Sequence, residues 1–156
     1  MKLSSKTKNW FSRYFRYVNY VAAAMLYLKD NYLLLEDLTS DHIKHRILGH
    51  WGTVPGLSFI YMHLNYLICK TKAKFLFVVG PGHGAPANLA NLLLEGTLHE
   101  FYPKYSRDSK GTGNLIKDFS WPSGFPSHLY PGVPGSILEG GELGYSLATA
   151  YGAAFD

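Results

Sequence analysis

The sequence lacks the features that mark secreted and membrane proteins. Its 156 residues include a single cysteine, Cys69, so no disulfide can form within the chain, and we expect a reducing, cytoplasmic compartment. No apolar run reaches the roughly 18 residues that a membrane-spanning helix needs. The apolar stretch from Val18 to Leu28 follows basic residues, as in a signal peptide, but Asn19 and several tyrosines interrupt it. Its spacing instead predicts an amphipathic helix over residues 10–29, and we expect no contact with a membrane.

Charged residues are also sparse, at 17% of the chain, and the net charge is only +4. Part of the basic excess lies near the amino terminus, in Lys2, Lys6, Lys8, Arg13 and Arg16. Residues 1–9 are expected to form a flexible basic segment. The excess is typical of a solvated surface, although it also fits a site for phosphorylated anions. No basic stripe recurs along the chain, so nucleic acid is not an expected partner.

Apolar residues are plentiful, by contrast, at 47%, which predicts one domain with a substantial core. Five of them, from Phe75 to Val79, run without a break and predict a buried strand of a parallel sheet. Three glycines and Pro81 follow between residues 80 and 84, and helix formers resume at Ala87. The expected fold is therefore α/β, with a parallel sheet flanked by helices. Because ligands bind at the carboxyl ends of parallel strands, His83 in this turn is a candidate site residue.

The rest of the chain supplies further loops that contain glycine and proline. Residues 49–56 form a second turn rich in these residues, and the spacing of apolar residues over 57–70 predicts a helix. Residues 103–136 are dense in Gly, Pro and Ser and are predicted to be irregular, which is uncommon at that length unless the segment serves a site. Residues 140–154 begin with glycines and continue as an alanine-rich predicted helix.

Each of three such loops carries one histidine: His50, His83 and His128. A single histidine in a loop is most often solvated or a hydrogen-bonding spacer. Three in similar contexts, next to a helix start that can bind phosphate, favour a functional site. They are too far apart in the sequence for a zinc motif, and no metal site is predicted. Glycines 80 and 82 with Ala85 imitate a dinucleotide-binding fingerprint only weakly, since Pro81 removes a backbone donor.

Four motifs together resemble the amino-terminal part of the xylulose-5-phosphate/fructose-6-phosphate phosphoketolases. They occur in the family's order: Gly49-His-Trp-Gly-Thr-Val-Pro-Gly-Leu57, Gly80-Pro-Gly-His-Gly-Ala-Pro-Ala87, Phe125-Pro-Ser-His128 and Pro134-Gly-Ser-Ile-Leu-Glu-Gly-Gly-Glu-Leu-Gly-Tyr-Ser-Leu147. The resemblance implies that residues 10–156 are the first part of a diphosphate-binding domain. The implied structure is a partial thiamine-diphosphate-binding fold that is incomplete at its carboxyl end.

The resemblance also implies an activity. These enzymes use thiamine diphosphate and Mg²⁺ to cleave xylulose 5-phosphate or fructose 6-phosphate with inorganic phosphate, giving acetyl phosphate and an aldose phosphate. His50, His83 and His128 match active-site histidines that contact substrate hydroxyls and the cofactor-bound intermediate. Thr53 and Gly141 match positions that contact the cofactor. Complete members of the family are expected to be homo-oligomers.

The sequence departs from the family in ways that bear on activity. The Gly-Asp-Gly-Glu motif that holds Mg²⁺ is absent, and Val54 and Ala85 stand where the family usually has Thr and Gly. We therefore expect the chain alone to be inactive. Two function classes stay open: part of a phosphoketolase completed by a second chain, or a non-catalytic gene remnant or partner subunit that binds a complementary phosphoketolase chain. A small anion- or nucleotide-binding α/β module is a lesser rival.

Overall fold

A computed structural model describes residues 3–138 and 144–155, and these two ranges contain six α-helices. The helices are α1 (Ser5–Tyr27), α2 (Val54–Thr71), α3 (Ala85–Glu95), α4 (Thr97–Phe101), α5 (Ser109–Asp118) and α6 (Ser146–Ala153). Short 3₁₀ turns lie at Ser40–His42, Trp51–Thr53 and Gly82–Gly84. No helix in the described ranges is long and apolar enough to cross a bilayer.

The predicted amphipathic helix is present as α1 and begins earlier than expected. The Ser4 side chain accepts a hydrogen bond from the Thr7 amide at 3.1 Å, which caps the amino end and starts the helix at Ser5. The buried face carries Val18, Val21, Ala22, Met25 and Leu26. At the other end, Leu28 forms an isolated antiparallel bridge with Ile43.

The predicted parallel sheet is wrong, and with it the α/β class. Residues 72–79 have no regular secondary structure, and the described residues contain no strand beyond the Leu28–Ile43 bridge. The apolar run from 75 to 79 satisfies the composition of a buried strand, but a strand also needs a neighbouring backbone to pair with. Here Phe75 and Leu76 are about half exposed (52% and 50%), and Val79 alone among the five is buried in the core.

Helix α3, and not a strand, lies at the centre of the fold. Every residue from Ala85 to Leu93 is buried, and α3 packs against α1, α2 and α4. A helix that is buried all round belongs in a core, where it can hold several neighbours in place. The glycine turn before α3 was predicted correctly, and so was the helix that follows it.

Helix α5 corrects the prediction that residues 103–136 are entirely irregular. The Asp108 side chain accepts a hydrogen bond from the Gly111 amide at 2.7 Å and caps the helix. Two glycines in this helix obscure it at the sequence level, because glycine is a poor helix former. Gly111 is required by packing: a Cβ there would lie 2.1 Å from the backbone nitrogen of Ser106.

Lys44 joins the carboxyl ends of two helices. Its Nζ donates to the carbonyl oxygens of Met25 (2.7 Å), Ile116 (2.9 Å) and Phe119 (3.0 Å). These carbonyls lie at the ends of α1 and α5, where the helix dipole favours a cation. Partial burial lowers the pKa of the Lys44 ammonium to about 8, and the charge of Asp118 acts in the opposite direction. The contacts hold the start of the segment that leads to His50.

Candidate active site

The 3₁₀ turn before α3 brings His83 against the loop that carries His50. The backbone amide of His50 donates to the carbonyl oxygen of His83 at 3.2 Å. The two imidazole rings meet edge to face, with centroids 4.8 Å apart. Both histidines precede a helix, α2 and α3 respectively, and α2 packs on α3. The pairing of the two helices therefore places the two rings together.

His128 reaches the same place from the long loop after α5. The Leu129 amide donates to the carbonyl oxygen of Gly82 at 3.0 Å, and Leu129 itself is buried. The centroid of the His128 ring lies 6.1 Å from that of His83. Three loops that are far apart in the sequence thus bring their histidines to one surface, with His83 in the middle.

Thr53 lies at the edge of this group. Its Oγ1 donates to the carbonyl oxygen of His50 at 3.3 Å. The absence of a side chain at Gly84 lets Thr53 and Leu57 approach the turn, since a Cβ there would lie 3.3 Å from Thr53 Oγ1 and 2.3 Å from Leu57 Cδ1. Gly141, the other predicted cofactor contact, lies outside the described residues.

Two serines next to this surface were not singled out from the sequence. Ser127 Oγ lies 3.2 Å from Nδ1 of His128 and is a hydrogen-bond partner for that ring. The start of α6 lies against Gly80, where a Cβ would be 2.8 Å from Ser146 Oγ. The position of Ser127 directly before a candidate histidine is a usable sequence signal. The contact between Ser146 and Gly80 depends on the tertiary fold and has no local signal.

The chemistry available at this surface is that of imidazole and hydroxyl groups. His50 and His128 are exposed and His83 is half-buried, so a ligand can reach all three side chains. Imidazole can donate, accept and transfer protons near neutral pH. In the described parts of the chain, no group of three or more His, Cys, Asp or Glu side chains has the arrangement to hold a metal ion.

Comparison with known proteins identifies the family of this chain. A family model for the XFP N-terminal domain matches residues 2–156. The chain belongs to this phosphoketolase family. It is 55% identical to the probable phosphoketolase of Nitrosospira multiformis over 154 residues, which are 99% of this chain and 19% of that protein. It is 51% identical to the probable phosphoketolase of Chlorobaculum tepidum over 154 residues, again 99% of this chain and 20% of that protein.

The match to this family confirms the resemblance that the four motifs indicated. The chain spans about a fifth of the length of the curated phosphoketolases that it matches. Phosphoketolases are generally dependent on thiamine diphosphate. The described residues place the Thr53 hydroxyl beside the backbone of Gly84, where Thr53 and Leu57 occupy the space that a side chain would need. They do not supply a cluster for its metal ion.

Proposed function

We propose that this chain supplies the histidine-lined part of a phosphoketolase active site. The reaction is the cleavage of xylulose 5-phosphate or fructose 6-phosphate with inorganic phosphate, giving acetyl phosphate and an aldose phosphate. The observation that carries the proposal is the meeting of His50, His83 and His128 from three loops, with neighbouring ring centroids 4.8 and 6.1 Å apart. Membership in the phosphoketolase family supports it.

His83 is the central proton carrier in this proposal. It holds a proton on its ring for the substrate hydroxyl that leaves, because hydroxide is a poor leaving group unless it is protonated. The buried glycines on both sides, Gly82 and Gly84, and the backbone bond from His50 hold its main chain in place. His50 and His128 bind and orient hydroxyl groups of the sugar from either side. Ser127 fixes the ring of His128.

Thr53 and Gly141 are proposed to contact thiamine diphosphate. The cofactor supplies the electron sink that makes cleavage of a carbon–carbon bond accessible, which protein side chains cannot do. Thr53 can offer its hydroxyl, since its bond to the His50 carbonyl is long at 3.3 Å. We place the Mg²⁺ ligands in a part of the enzyme that this chain does not include.

The chain is proposed to act only together with further phosphoketolase sequence, within a cytoplasmic homo-oligomer or with a second chain. Large apolar side chains that a partner could cover support this. In α6 and the residue after its cap, Leu147, Tyr151 and Phe155 are 80%, 69% and 74% exposed. The same surface supports the alternative function, in which the chain is a non-catalytic remnant or partner subunit that binds a complementary phosphoketolase chain.

A complementation assay tests the proposal. The chain is mixed with the part of the Nitrosospira multiformis relative that lies beyond the matched region, and acetyl phosphate is measured with fructose 6-phosphate, phosphate, cofactor and Mg²⁺. We expect product only when both chains are present, and none from either chain alone. Acetyl phosphate made by this chain alone would refute the inactivity of the isolated chain. A stable complex that makes no acetyl phosphate would favour the non-catalytic alternative.

A further inference from the structure

A second concave surface lies at the end of α3 that is remote from the histidines. It forms where α1 and α2 meet the carboxyl end of α3, and Arg107 also lines it. Its volume is about 760 Å³, which is within the range of small-molecule sites. The lining includes Lys6, Trp10, Arg13 and Glu95 besides Arg107. We call this surface the basic cavity.

Three cations, Lys6, Arg13 and Arg107, line the basic cavity together with the carboxylate of Glu95. Lys6 and Arg13 lie seven residues apart on one face of α1, with Trp10 between them. In the described part of the chain, neither of them nor Arg107 takes part in an ion pair. Two guanidinium groups and an ammonium around one concavity attract a polyanion, and guanidinium binds phosphate through paired hydrogen bonds.

The stem of Arg107 lies next to the glycine that caps α3. Gly96 follows α3 and caps it in the left-handed conformation, with φ of 95°. A Cβ at Gly96 would lie 3.3 Å from Cδ of Arg107. The aliphatic part of Arg107 therefore lies next to the bare backbone at the end of α3, and its side chain lines the cavity.

Two further groups favour a nucleotide over a bare anion. Trp10 is 40% exposed, while its ring packs against Tyr14 and Tyr66 with centroids 5.1 and 6.0 Å away. Its orientation is thus fixed, and its open surface can stack with an aromatic base. Glu95 accepts a hydrogen bond from the Tyr61 hydroxyl. A carboxylate disfavours an isolated phosphate, but a carboxylate beside a phosphate site is what binds ribose hydroxyls in nucleotide-binding proteins.

We infer that the basic cavity binds a nucleoside diphosphate. Lys6, Arg13 and Arg107 bind the two phosphates, Glu95 accepts from the ribose hydroxyls, and Trp10 stacks on the base. The cavity is separate from the histidine surface and shares no lining residue with it. The inference therefore does not depend on the proposed phosphoketolase reaction.

A competition experiment tests the inference on the monomeric fraction of the chain, at concentrations below the micromolar range in which we expect it to self-associate. Fluorescence anisotropy reports the binding of a fluorescent ADP analogue, and ADP, adenosine and pyrophosphate serve as competitors. Arg13→Glu and Arg107→Glu reverse the charge of two proposed phosphate ligands. Arg16→Glu is the matched control, because Arg16 is an exposed arginine of the same helix that does not line the cavity. Circular dichroism checks that each variant folds.

We expect saturable binding that ADP competes for better than pyrophosphate or adenosine does. Each of the two charge reversals should weaken binding at least about tenfold, as loss of a charge-assisted hydrogen bond predicts, and Arg16→Glu should change it by less than about twofold. Absence of saturable binding by folded protein overturns the inference. Equal competition by ADP and pyrophosphate overturns the nucleotide part and leaves only an anion patch. If all three charge reversals weaken binding equally, the nucleotide does not bind in the basic cavity.

Discussion

The backbone amide of His50 donates to the backbone carbonyl of His83, so the two candidate site residues are joined through their main chains. Their rings are 4.8 Å apart between centroids, but the bond that sets this spacing involves neither ring. Replacing one imidazole should therefore leave the loop frame and the other imidazole in place. This makes single histidine substitutions informative about chemistry and not only about folding.

The first prediction concerns the central histidine, tested in an active phosphoketolase that carries residues 10–156 of this chain in place of its own segment. His83→Ala should lower kcat by roughly 10²- to 10⁴-fold, the usual contribution of a positioned proton donor. KM for the ketose phosphate should change less, because the lost interaction belongs to the transition state. Steady-state kinetics and the melting temperature are measured together.

His99→Ala in the same chimera is the control, since His99 is exposed on α4 and remote in sequence from the three loops. It should change turnover by only a few-fold. If His83→Ala turned over like its parent and only the melting temperature fell, His83 would pack the turn without taking part in catalysis.

The second prediction contrasts the same substitution in two helices. Gly111→Ala should lower the free energy of unfolding by roughly 1–3 kcal/mol, because the new methyl group meets the backbone of Ser106 and must displace it. Gly56→Ala, in the first turn of α2, should raise it by up to about 1 kcal/mol, since no atom lies within 4 Å of that Cβ. Urea unfolding measures both. A Gly111→Ala variant at least as stable as its parent would show that α5 does not approach Ser106 closely, and a destabilised Gly56→Ala would contradict the expectation for α2.

The third prediction concerns Lys44. Lys44→Met removes the donor shared by three carbonyls and should lower the free energy of unfolding at pH 7 by about 1–3 kcal/mol. The parent should also show a pH dependence that the variant lacks. The folded pKa of Lys44 is about 8 and the usual value is 10.5, so the unfolded chain binds more protons between these limits. Stability of the parent relative to the variant should therefore rise as pH rises from 8 towards 10.

Urea unfolding of both proteins at several pH values from 7 to 9.5 checks this prediction. Lys29→Met, which removes an exposed lysine, is the control and should leave the pH dependence as in the parent. A difference between parent and Lys44→Met that falls with pH would mean that the three carbonyl contacts hold the ammonium more strongly than burial disfavours it.

The fourth prediction concerns self-association of the isolated chain. Phe75 and Leu76 are about half exposed in a segment whose backbone forms no ladder with the rest of the described chain. Exposed apolar side chains next to unpaired backbone groups promote association between chains. Light scattering should detect oligomers at micromolar concentration, and Phe75→Lys with Leu76→Lys should reduce them, whereas the exposed polar change Thr71→Lys should not. A monodisperse parent with a cooperative thermal transition would contradict this.

Local patterns predicted the helices better than the fold class. The periodic apolar positions of α1 and α2 and the breakers before α3 are properties of short stretches, and the structure has helices there. The run from 75 to 79 was assigned to a sheet, but a sheet depends on pairing with a distant backbone, which composition cannot specify. Helix α5 was missed because Gly111 suggests a loop, although the capping Asp108 was a visible signal.

For the candidate site too, local patterns predicted the loops but not the contacts between them. The glycine and proline residues around His50, His83 and His128 indicated loops, and family motifs singled out the same three histidines. The contacts that join these loops, such as the bond from the Leu129 amide to Gly82, have no counterpart in the local sequence. The roles assigned to the three histidines and to Thr53 stay predictions until the variants are measured.

Helix α3 has 11 residues and is about 16 Å long at 1.5 Å per residue. His83 lies in the turn before its first residue. Gly96 follows its last residue, and the stem of Arg107 lies next to Gly96. Since the first nine residues of the helix are enclosed by neighbouring side chains, α3 is a fixed spacer that sets the distance between its two ends. The histidine surface and the basic cavity are therefore held at a constant separation, at opposite ends of one buried helix.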